Sequence, residues 1–193
     1  ESISGSLVIS GDFGDPSQLT NLDGLNILTL NSLIIIENQS LTEIDALSSI
    51  TTLQNGGIAI YDNPLLNSLN GISNIVPKGN GNTGELDGNL LIYNNPLVTS
   101  IDVLDNITKV NFEIDVSDMP GLSNLNGLHN IIEVEELVIG DNQNLTSLNG
   151  LTGLTEITQN ASIGGNSSLS DLSGLNNLVE VGNVFDIDDN DQL

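Results

Sequence analysis

A chain of 193 residues with 38% hydrophobic but only 3% aromatic side chains must build its core from Leu, Ile and Val rather than from rings. Two basic residues against 26 acidic ones give a formal charge of -24 at pH 7, which repels phosphate backbones and anionic headgroups and so argues against nucleic acid and direct membrane insertion. The lack of cysteine excludes disulfides and thiolate metal sites, and with no apolar run of about 18 residues neither a membrane span nor a signal peptide is expected within this sequence.

In chain order, the first unit is interrupted by roughly four extra residues around Phe13 to Pro16 and reaches a corner at Asp23 and Gly24, a pair tolerant of positive φ. A strand follows in which Leu33 and Ile35 face inward, because side chains alternate between faces. After Asn38, apolar residues fall at every third position: Leu41, Ile44, Leu47, Ile50 and Leu53. That spacing is neither the period of a strand nor that of an α-helix, and it predicts an irregular or 3-10 return path feeding one narrow core.

The pattern then recurs. Ile58 and Ile60 precede Asn63 and Pro64, with a corner at Asn70 and Gly71. Next comes VPKGNGNTGE, eight residues beyond a 24-residue norm; this insertion, about residues 76–86, is expected to bulge outward as a mobile loop bearing Lys78. Leu90 and Ile92 precede Asn95 and Pro96, after which Met119, followed by Pro120, takes the asparagine slot once. A corner at Asn126 and Gly127 leads through His129 to Leu137, Ile139 and Asn142; Asn149 and Gly150 form another, and Asn166 and Asn190 follow. From Asn38 to Asn190 the slots are spaced 25, 32, 24, 23, 24 and 24 residues apart.

This register predicts a mainly β repeat solenoid, right-handed, with about 24 residues per coil and one parallel sheet joined by irregular or 3-10 return segments. It spans residues 1–193 as a single domain of about seven full coils and a truncated eighth. The asparagines at 38, 63, 95, 142, 166 and 190 are expected to point inward as a structural ladder that pairs backbone groups of neighbouring coils. Because a solenoid end needs a cover, further domains of the same chain or a partner are expected beyond Leu193.

The stretch VEELVIGDN, with Val134, Leu137, Ile139 and Asn142, resembles the core of the leucine-rich repeat class, and NPLLNSLNGI, NQNLTSLNGL and NSSLSDLSGL look like its receptor L-domain-like branch in exported bacterial proteins. The resemblance covers residues 7 to 193. It implies an extracellular, secreted or surface-attached recognition module of a larger exported protein, acting in adhesion. The sequence departs from the animal receptor pattern in lacking cysteine-rich flanks, which argues against a hormone-receptor role.

Candidate site residues lie where the repeat carries something extra. Tyr61 and Tyr93 fall at equivalent outward positions of successive strands, with Asp62 and Asn94 beside them and Lys78 on the insertion. Aromatic rings beside carboxylate and amide groups make a platform for a glycan or protein ligand, flanked by an apolar strip of Ile34, Ala59, Leu91 and Val138. The alternative is a ligand-free spacer or stalk. Alternate Asp186 and Asp188 share a strand face and form a candidate Ca²⁺ pair; no other cofactor is expected. A polar column of Thr42, Asn67, Thr99, Ser123, Thr146 and Ser170 raises ice binding as a further reading. A lone His129 without a nucleophile motif argues against an enzyme, so no catalytic residue is assigned.

Overall fold

The fold was obtained as a computed structural model that describes residues 5–11 and 19–193; the interruption expected at Phe13 to Pro16 lies outside the described residues. Among them the chain is mainly β. The strands are β1 (Leu7–Ser10), β2 (Thr29–Leu30), β3 (Leu33–Ile36), β4 (Thr52–Leu53), β5 (Ile58–Tyr61), β6 (Val76–Pro77) and β7 (Glu85–Leu86). Then come β8 (Leu90–Tyr93), β9 (Lys109–Ser117), β10 (Glu133–Gly140), β11 (Glu156–Ile157), β12 (Ala161–Gly164), β13 (Glu180–Val181) and β14 (Phe185–Asp188). All pairings are parallel.

The principal row runs β1-β3-β5-β8-β9-β10-β12-β14, with Leu33 opposite Ile58, Leu90 opposite Ile114 and Leu137 opposite Ala161. Strands β3, β5, β8 and β12 alternate buried and half-buried residues, as β-branched and aliphatic side chains do when one face is packed and the other is open. The third-position aliphatics close the other wall: Leu41, Ile44, Leu47 and Ile50 are fully buried, as are Leu145 and Leu148. Short 3-10 turns such as Asp45–Ser49, Asn70–Ile72 and Asn149–Leu151 carry the return path, because three residues per turn bring every third side chain to the same side.

The expected single sheet is two. The return path ends in an extended dipeptide, and β2, β4 and β6 pair into a separate three-stranded sheet, while β7, β11 and β13 join the large sheet through the long strands β9 and β10. The insertion is the cause. Val76–Pro77 pairs back onto β4 and the Lys78 N–H donates to the Leu53 carbonyl; the Gly84 N–H closes the excursion on the Pro77 carbonyl, and Glu85–Leu86 pairs forward onto β9. Both ends of the segment are thus tied down, with Pro77, Gly79 and Leu86 buried, while Lys78 and residues 80–83 are exposed. It ends one ladder and starts the next.

The Asn-Gly corners also have a different reason from the one expected. Gly24 does adopt φ of 94°, but Gly71, Gly127 and Gly150 are not among the positive-φ residues. Each lies in a 3-10 turn pressed on the previous unit, where a Cβ would sit 1.8 Å from the Ile44 carbonyl oxygen, 1.8 Å from that of Ile101 and 1.9 Å from that of Leu125, respectively. Close approach, not backbone freedom, demands glycine there.

Candidate functional site

The buried asparagines form the ladder that positions the face above them. Asn63 donates through Nδ2 to the carbonyls of Ile35 (3.0 Å) and Tyr61 (2.9 Å), and its Oδ1 accepts from the N–H and Nδ2 of Asn38. Asn95 donates in the same way to Ile60 and Tyr93, Asn142 to Val116, and Asn166 to Ile139 and Gly164. Asn190 closes the described row on Ile163 and Asp188. The rung at Met119 is filled without distortion: the Asn95 N–H meets the thioether sulfur at 3.4 Å, and the Met119 N–H donates to Asn142 Oδ1. Met119→Asn should complete the ladder and add about 1 kcal/mol of stability in urea denaturation. A loss of about 2 kcal/mol or more would mean that the packing around that rung requires the thioether.

Immediately before each rung the chain turns through left-handed backbone at Glu37, Asp62, Asn94, Asp118, Asp141, Gly165 and Asp189. Six of the seven are Asp, Asn or Gly, the residues that tolerate this conformation best, with Glu37 the exception, and the sharp turn aims the following asparagine or Met119 inward. The same turns line the strand ends with carboxylates, a row not anticipated from the sequence. Its only signal there was a recurrent acidic or amide residue one place before the slot.

Tyr61 and Tyr93 are paired in register, and their rings stack with centroids 4.4 Å apart and planes 9° from parallel. Asn94 Nδ2 donates to Asp62 Oδ1 at 2.5 Å, tying the two turns beside the rings. The Tyr93 hydroxyl is pushed up to about 12, first by burial and then by the negative fields of Tyr61, Asp62 and Asp115, so it stays a neutral donor. Lys78 does not join this group. It sits by β4, at the edge where the strands begin, whereas the tyrosines are the last residues of theirs.

Along the face, Val8, Ile34, Ala59 and Leu91 stand in register as an apolar strip. Asp115 stands between Leu91 and Val138, so Val138 is cut off from it. Beyond Asp115 the face turns small and polar, with Ser117, Gly140, Ser162 and Gly164 lining a concavity of about 330 Å³ that Asp118 and Asp141 edge. Asp186 and Asp188 are exposed on the last strand. No group of three or more His, Cys, Asp or Glu able to hold a metal occurs among the described residues.

Several hydroxyls of the polar column are spent on the scaffold: Thr42 donates to the Thr20 carbonyl, Thr146 to Ser123 and Ser170 to Thr146. His129 lies exposed after a 3-10 turn, with Nδ1 against the Asn126 carbonyl. Phe112, unremarked in the sequence because it belongs to no repeat slot, projects from β9 where that strand has one more residue than β10 between Val110 and Glu113. Among the described residues no helix is long and apolar enough to cross a membrane. Comparison of the chain with protein-family models, with curated proteins and with solved structures found no match in any of the three.

Proposed function

We propose that the chain is a right-handed solenoid of the leucine-rich, receptor L-domain-like type and serves as an extracellular adhesion or recognition module of an exported surface protein. Parallel strands joined by return segments on one side favour the right-handed crossover, and strand registers mostly 23 to 25 residues apart, as between Ile114 and Leu137 and between Leu33 and Ile58, support a repeated coil. The occupant of the open face would be a protein or a glycan.

The observation that carries this reading is the stacked tyrosine pair beside the apolar strip on the open face. Rings with a polar tip and an apolar body suit a partner that presents both hydroxyls and CH groups. The test is a screen of the chain against glycans and cell-surface proteins, with and without Ca²⁺, followed by the Tyr61→Ser and Tyr93→Ser double variant against whatever binds. A loss of roughly tenfold or more in affinity is expected, because aromatic anchors at a contact are commonly worth over 1 kcal/mol each. Unchanged affinity would move the contact off these rings, and a screen with no binder would favour the ligand-free spacer.

A further inference from the structure

A second concavity, of about 280 Å³, opens at the opposite edge of the large sheet, where the principal strands begin, and is lined by Asn89, Phe112, Glu113, Glu135, Glu136 and Gln159. We propose that it binds a basic side chain of a protein partner, arginine in particular, independently of the tyrosine face.

The ring comes first. Phe112 is 50% exposed in a chain with only three phenylalanines, and it owes its position to the bulge in β9, which throws one residue out of the pleat. Among the described residues the ring stacks on no other aromatic; the stacked pair is Tyr61 with Tyr93. The half-exposed ring is thus part of the wall that an occupant of the concavity would meet.

The carboxylates come second. Gln159 donates to Glu135, and Asn160 Nδ2 donates to Glu136 at 2.7 Å, so these two are held in place by amides. Glu113 has no hydrogen-bond donor among the described residues. Burial first, then Asp115 and Glu136, holds its carboxyl above the usual range. Among the described residues no cation relieves that field: of the two lysines, Lys109 is committed to Glu133 at 2.7 Å, and Lys78 lies on the insertion beside Leu53.

Size and chemistry then choose the occupant. At about 280 Å³ the concavity has room for one inserted side chain. A metal ion has no cluster of ligands here and gains nothing from a phenyl ring. Guanidinium is planar, stacks on aromatic faces and bonds carboxylates through paired N–H groups, while its alkyl stem covers apolar surface.

The test is an amide-resolved NMR titration of the full chain with acetyl-Gly-Arg-Gly-amide, and with the same peptide carrying citrulline in place of arginine, at low salt. The arginine peptide should shift the amides of Phe112, Glu113, Glu136 and Gln159 together, and the uncharged twin should not. Phe112→Ala, on an exposed side chain, and Glu113→Gln, on a half-buried one, should each weaken binding roughly tenfold. Shifts spread evenly over the acidic surface, equal binding of the citrulline peptide, or unchanged affinity in both variants would overturn the proposal. Because the readout sits at Phe112, the Tyr61→Ser and Tyr93→Ser variant should bind this probe normally, so this inference and the tyrosine-face reading fail separately.

Discussion

Gly150→Ala is expected to destabilise the protein by about 3 kcal/mol or more, the upper part of the range for overpacking a filled interior. The added Cβ would meet the Leu125 carbonyl oxygen at 1.9 Å and its carbon at 2.1 Å, and both belong to main chain that cannot swing aside. Relief requires the two units to part, which would strip contacts from Leu148 and Leu151, both buried between them. Gly140→Ala is the matched control. It lies on the open face, where a Cβ would meet only the Ser117 Cβ at 3.6 Å and the Gly164 carbonyl oxygen at 3.8 Å, so its effect should stay within about 0.5 kcal/mol. Urea denaturation of the two variants decides the matter; equal midpoints would show that the units are not in rigid contact at the 3-10 turns.

Asn63→Leu should cost about 3–5 kcal/mol although it places an aliphatic residue in an aliphatic core. The side chain is fully buried and serves three separate stretches of backbone. Without it the Ile35 carbonyl loses a 3.0 Å donor and the Asn38 N–H its 3.2 Å acceptor, while the Tyr61 carbonyl loses a 2.9 Å donor and keeps only the Glu37 N–H at 3.1 Å. Each group left unpaired away from water costs about 1–3 kcal/mol, more than the new side chain gains by burial. Asn144→Leu is the comparison: that side chain is exposed, donates only to the Pro120 carbonyl, and its loss should cost no more than about 1 kcal/mol. If Asn63→Leu proved as mild as Asn144→Leu, the ladder would be a consequence of the stacking and not one of its causes.

The two variants also separate what holds the strands from what holds the return path. The asparagines pin the strand ends, where left-handed turns at residues such as Asp62 and Asp141 set the angle of entry. The glycines set how closely successive 3-10 turns approach. Both act between units, so the stiffness of the open face under Tyr61 and Tyr93 depends on contacts that no single unit makes alone.

Most of the local design was legible in the order of residues. The strand alternation at Leu33 and Ile35, the every-third-residue aliphatics from Leu41 to Leu53 and the recurrence of the asparagine slot follow from one rule: the apolar side chains of each strand and turn must reach the same core. The stacked tyrosines were legible for the same reason, since equal positions in successive strands become neighbours. What required the tertiary structure is everything that depends on distance between units. Sequence alone placed glycine at 150 as a corner residue, but only the packed neighbour reveals the carbonyl that excludes a side chain. It presented the insertion as surplus, but pairing decides that both of its ends join ladders and that Lys78 falls at the edge away from the tyrosines. It left Phe112 without a slot, because a one-residue bulge is a mismatch between two strands and has no existence in either taken singly.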